Sequence, residues 1–218
     1  METQIKSLED LSISKILKEN PKNSSGEYDF KSLANEIMNK IYIDNGNYKY
    51  HPIEIEFYIY DKENHADIHV YPRDNKEAGE LFFHLSGMDI CFKSSLEEGR
   101  FGGILIRALE RVKDGETIRI GGPLTCVNEV LNTAKSHTGI QVVHCCNHMS
   151  RPTKCIGKRK GINQSKSTTL KDEYWNKKYR FLRDDLNLGD KITMKDDTFD
   201  FKLHAIKKDR TRTYKIED

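Results

Sequence analysis

The chain has no apolar run approaching the length of a membrane-crossing helix, so no membrane partner is expected. Its first residues, Met1-Glu2-Thr3-Gln4, lack the basic-then-apolar layout of a secretory signal. Cysteine is scarce: there are 5, an odd number, and Cys145 and Cys146 are adjacent, which argues against a disulfide framework. A reducing compartment, cytoplasmic (and nucleoid-associated) or nuclear, is the expectation. No nucleotide-binding glycine loop, Ser-His-Asp arrangement or HExxH helix occurs, and Gly121-Gly122-Pro123 lacks the other glycines and the lysine of a phosphate cradle. No cofactor is therefore expected. His144-Cys145-Cys146-Asn147-His148, with Cys155 nearby, holds residue types that suit zinc, but the spacing matches no common finger or ribbon, so no metal is expected either.

What is present is polar and charged. With 218 residues, 36% apolar and 32% charged, the chain reads as one globular domain, 1–218, acting as a monomer. The net charge of +2 is unevenly spread, because the carboxyl-terminal third is basic and the remainder acidic. Arg151, Lys154, Lys158, Arg159, Lys160, Lys166 and Lys171 occur without one acidic residue among them, separated by Gly, Ser, Thr and Pro. The stretch 149–172 reads as a flexible loop, either a phosphate-attracting surface or a merely solvated one.

Apolar spacing gives an amino-terminal helical segment over 7–41, with Leu8 to Leu17 on a first helix and Phe30 to Ile41 on a second capped by Asp29. Strands are expected at 53–60, 67–71, 80–85, 88–93, 102–111 and 117–120, then a helix entered through Pro123 and a short strand from Ile140 to His144. Further strands are expected at Tyr179 to Leu182, Lys191 to Met194 and Phe199 to Ile206. No helix fits between most of these strands, so the sheet core over 50–145 and 174–215 is antiparallel and the class is α+β. In Ile53-Glu54-Ile55-Glu56-Phe57-Tyr58 the period of two puts Glu54, Glu56 and Tyr58 on one face and Ile53, Ile55 and Phe57 on the other.

Four segments in order, Ile53 to Tyr58, Phe82 to Met88, Ile104 to Glu110 and Gly122 to Leu131, resemble the V-E-T-E-A-Y, Y-G-M, L-I-R-A-L-E-P and G-P-x-x-L-C-x-A-L segments of the alkyladenine (3-methyladenine) DNA glycosylase family. A fainter likeness lies at Tyr179-Arg180-Phe181-Leu182-Arg183. This divergent resemblance implies a curved sheet flanked by helices, double-stranded DNA as partner, and excision of an alkylated purine. Breaking the bond from sugar to base creates positive charge on the sugar, and a carboxylate both stabilises that charge and activates water. The resemblance gives that role to Glu56. It implies that Tyr58 and Phe83 stack on an everted base, where electron-rich rings favour a cationic purine, and that His65 or His69 supplies a polar contact. Arg107 either touches the DNA backbone or braces the glutamate, while Arg151, Lys158, Arg159 and Lys160 are candidates for backbone contact. Two positions depart from the family: Ser86 replaces the tyrosine that wedges into the duplex, and Lys93 replaces an asparagine that discriminates among purines, so that Lys93 would face the base. These departures motivate an alternative, a catalytically inactive protein of the same fold that binds nucleic acid or a nucleobase.

Overall fold

The computed structural model describes residues 28–113, 116–144, 151–162 and 174–186, together with the backbone of 205–207 and 210–212. The helix expected over Leu8 to Leu17, the strand from Lys191 to Met194 and the Cys145 to His148 cluster lie outside the described residues.

The class is α+β, and the described residues form a main curled antiparallel sheet with two α-helices. Helix α1 (Phe30–Lys40) begins where the Asp29 carboxylate accepts from the Ser32 N–H, and it buries Phe30, Leu33, Ala34, Ile37 and Met38 along one stripe. The chain turns straight into β1 (Ile41–Asp44), then β2 (Lys49–Asp61) and β3 (His65–Ala66). A hairpin of β4 (Leu81–His84) and β5 (Gly87–Cys91) precedes β6 (Arg100–Lys113) and β7 (Glu116–Gly121). Helix α2 (Pro123–Asn132) opens with proline in its first turn, and β8 (Gln141–His144), β9 (Thr153–Gly157) and β10 (Arg180–Arg183) complete the main sheet. A separate ribbon pairs β11 (Ala205–Lys207) with β12 (Arg210–Arg212).

The spine is the pair β2 and β6, matched from Tyr50 opposite Arg111 to Asp61 opposite Arg100. The other edge of β2 takes β1 at its start, β10 opposite Glu54 to Glu56, and β3 at its end. Close approach of the two spine strands needs Gly102, where a Cβ would lie 2.3 Å from the Tyr58 carbonyl oxygen. The register shifts on either side of Glu54, leaving Ile53 and Arg107 without an opposite residue. Simple alternation therefore fails at Ile53: it packs with Ala108, Leu182 and Leu186, while Ile55 and Phe57 join the main core beneath α1.

Two further expectations are corrected. The strand placed over 67–71 is irregular, because the Asp67 carboxylate accepts from the His69 N–H and holds a local turn. The loop placed over 149–172 contains β9, which pairs along β10 although its sequence, Thr-Lys-Cys-Ile-Gly, has no clean alternation.

Phe57 is fully buried, with its ring centroid 4.5 Å from that of Phe30 and 5.5 Å from that of Phe181. Phe57→Ala is expected to cost about 3–5 kcal/mol in urea denaturation, and Leu85→Ala at an exposed turn within about 0.5 kcal/mol of zero. Equal midpoints for the two variants would contradict this placement of the core.

Candidate functional site

Glu54, Glu56 and Tyr58 do share a face of β2, and that face meets arginines from both neighbouring strands. Arg107 of β6 places Nε 2.9 Å from Glu54 Oε1 and Nη1 3.3 Å from Glu56 Oε1. Arg180 of β10 places Nε 2.6 Å from Glu54 Oε1 and 3.8 Å from Glu56 Oε1. The skipped register at Arg107 aims its side chain across at β2. Arg107 is thus a brace for the glutamates.

Glu56 has no exposed surface. Its Oε2 accepts from the Tyr58 hydroxyl at 2.9 Å, and its Oε1 accepts from the Lys160 backbone N–H at 2.8 Å. Burial pushes its carboxyl above the ordinary glutamate value, an effect that outweighs the opposing pull of Arg107, the Lys160 N–H, Tyr58 and Arg180. Such a shift moves a carboxylate toward the range useful for proton transfer near neutral pH.

Of the four residues that hold Glu56, Tyr58, Arg107 and Lys160 line a cavity of about 540 Å³. Its other walls include His69, Tyr71, Arg73, His84, Ser86, Asp89 and Pro123. On one wall Asp89 is 2.8 Å from Arg73 and accepts from His84 Nε2 at 3.1 Å, while His84 Nδ1 accepts from the Ser86 N–H. Gly103 makes room for this group, since a Cβ there would meet Arg73 Nη1 at 2.6 Å. The volume and the mix of apolar, aromatic and polar walls fit a small organic ligand.

The sequence-derived candidates divide accordingly. The structure brings Glu56, Tyr58, Arg107 and Lys160 together. His65 lies elsewhere in the protein's interior: the Ile59 carbonyl accepts from its Nδ1 at 2.9 Å, and its Nε2 pairs with the Tyr179 hydroxyl at 3.0 Å. Its burial lowers its pKa and keeps the ring neutral. Of the two histidines, His69 is the one on the cavity wall. Phe83 is 39% exposed, on the face of β4 opposite to His84, and Lys93 is exposed beyond the end of β5; neither lines the cavity. Arg159 is buried, paired with Asp67 and accepted by the Phe57 and Tyr174 carbonyls, so it anchors its own segment and is closed to external phosphate. Arg151 pairs with Glu110 and Asp185, and Lys158 lies 4.7 Å over the Trp175 ring.

Sequence reasoning missed Arg73, His84, Asp89 and Arg180. A signal existed for Asp89 and Arg180, each a charged residue inside a short, wholly buried strand. Arg73 and His84 gave none. It also missed Leu85, the neighbour of Ser86 at the tip of the β4–β5 hairpin, which is 93% exposed. Among the described residues Cys91 and Cys126 are buried free thiols and Cys155 is an exposed one, and no helix is long and apolar enough to cross a membrane.

An uncharacterized protein of Acanthamoeba polyphaga mimivirus is 32% identical over 138 residues, covering 53% of this chain and 62% of that relative. The match thus spans less than two thirds of the relative's length. No family model and no solved structure matches the chain.

A raised glutamate pKa means that ionisation of Glu56 opposes folding. As pH rises from the ordinary value of 4.5 through the higher folded value, the native chain loses stability relative to a variant that cannot ionise there. Glu56→Gln should therefore gain on the unmodified protein as pH rises across that window, read from urea midpoints at several pH values. A gap that is constant or shrinks with rising pH would contradict the assignment.

Proposed function

We propose that this protein hydrolyses the N-glycosidic bond of a modified purine extruded from double-stranded DNA, with Glu56 activating the attacking water. The observation that carries this reading is a fully buried glutamate, destabilised in its charged form, lying directly behind the tyrosine, arginine and loop that line the cavity. In this reading the base enters against Tyr58, and water reaches Glu56 Oε1 at the position taken by the Lys160 N–H, so residues 160–162 must withdraw for turnover. Arg107 and Arg180 keep the carboxylate fixed while it accepts the proton of water. The ordered sequence likeness to segments of the alkyladenine DNA glycosylase family supports the same activity.

Ser86 is too small to replace an extruded base, but Leu85 beside it is an apolar side chain standing clear of the hairpin. Apolar wedges of this kind separate base steps in other duplex-bending proteins. We assign that role to Leu85. Lys160 on the cavity wall and exposed Lys158, two residues before it, supply cations for phosphate.

One observation favours a second reading, a binding protein without catalysis: both oxygens of Glu56 are already engaged by donors of the protein itself. Single-turnover release of base from modified duplexes separates the two. Catalysis predicts that Glu56→Gln slows release by about 100-fold or more. It also predicts that Leu85→Ala slows release from duplex by about 10-fold while sparing single-stranded substrate. Binding of modified duplex with no release by the unmodified protein would establish the second reading, and equal release by Glu56→Gln would reject Glu56 as the base.

A further inference from the structure

Among the described cations of the basic stretch, Arg151, Lys154, Lys158, Arg159 and Lys160, only Arg159 is turned wholly inward. Its side chain and that of its partner, Asp67, have no exposed surface. Burying such a pair is costly, and apolar side chains of the same volume would serve stability as well. The cost is not even minimised, because Arg159 Nε is buried without an acceptor among the described residues. What a guanidinium supplies here is a rigid fork of donors.

That fork is centred on the neighbours of Glu56. Nη1 donates to the Asp67 carboxylate and, at 3.2 Å, to the carbonyl of Phe57, the residue between Glu56 and Tyr58. Nη2 donates to the Tyr174 carbonyl at 3.0 Å. The guanidinium carbon lies 4.6 Å from the centroid of the Tyr58 ring and 5.4 Å from that of Tyr179, while Arg159 itself does not line the cavity. Tyr58 in turn donates its hydroxyl to Glu56 Oε2, and Lys160, the next residue after Arg159, donates its N–H to Glu56 Oε1. Both oxygens of the glutamate are thus held by groups one link away from Arg159. Beyond Lys160 the chain passes through Gly161, whose φ is +75° and whose Cα has open space around it.

We infer that Arg159 is a positioning residue for Glu56, fixing Tyr58 against one carboxylate oxygen and forming the fixed end of the segment whose Lys160 N–H covers the other. Its part in turnover rests on the glycosidic-hydrolysis reading, whereas its hold on Glu56 does not. When residues 160–162 withdraw, Oε1 becomes free for water, and the Phe57 carbonyl and Tyr58 ring stay on the guanidinium. Tyr58 then keeps Oε2, so the carboxylate holds its aim while the cover moves. Arg159 exchanges no proton and touches no substrate. Lysine in its place would keep the charge but not the fork, since one ammonium cannot serve both the Phe57 side and the Tyr174 side.

Amide hydrogen exchange of the full chain, read residue by residue by NMR, tests this without requiring activity. In Arg159→Lys the Lys160 N–H should exchange about 10-fold or more faster, while Ile104 and Ile106 in β6 stay within about 2-fold of the unmodified protein. The double variant Asp67→Asn/Arg159→Gln, which strands neither charge, should show the same pattern. Lys160 exchange that is unmoved, or that accelerates together with β6 as in a general loss of stability, would overturn the inference. Single-turnover release from modified duplex gives the second readout. Arg159→Lys should slow the saturated rate about 10-fold and leave the half-saturating duplex concentration unchanged. Release at the unmodified rate would overturn the positioning role and leave Glu56 as the base. Selective loss of Lys160 protection, in a protein that releases no base, would overturn the glycosidic reading and leave the hold of Arg159 on Glu56 standing.

Discussion

Two glutamates on one face of β2, held by one arginine from each flanking strand, are the constraint on which the site depends. Glu54 and Glu56 are buried, and Arg107 and Arg180 reach them from β6 and β10. Ion pairs removed from water stabilise little on balance, but losing one partner strands the others. Such a group is better suited to fixing geometry than to adding stability. It fixes the β2–β6 register around the irregularity at Glu54, and it sets Tyr58 and the Lys160 segment against the same carboxylate.

The cost of this arrangement falls on Glu56. Glu110, also surrounded by arginines, has its carboxyl held below the ordinary range, with Arg183 donating to both of its oxygens at 2.8 and 2.7 Å. Glu56, with no exposed surface, is pushed the other way. The two residues show the same chemistry tuned in opposite directions by depth and by the number of donors. Glu110 ties strands together, while Glu56 stands behind a cavity wall with its charged form disfavoured by burial. Stability given up at one buried carboxylate, in a sheet that satisfies its neighbours, is a mark of a site.

Much of this was legible in the sequence. The alternation through Glu54, Glu56 and Tyr58 gave the shared face, Asp29 gave the helix start, and Pro123 gave the entry to α2. Local pattern failed where tertiary pairing took over. Ile53 left the alternation because the register shifts beside it, and β9 formed because β10 offered it an edge. At Asp67 a side-chain turn and a buried ion pair with Arg159 replaced the expected strand. Within the site, Glu56, Tyr58 and Arg107 could be named from strand position and resemblance. Arg73 and His84 could not, because a loop and a hairpin bring them to Asp89 through contacts with no counterpart in residue spacing.

The pH dependence of single-turnover base release tests the central claim most directly. If Glu56 is the base that activates water, the rate rises as its carboxyl ionises, with a midpoint above the ordinary glutamate value of 4.5, and this limb is missing from Glu56→Gln. A rate that is flat across that range, or one whose rising limb survives in Glu56→Gln, would contradict the account.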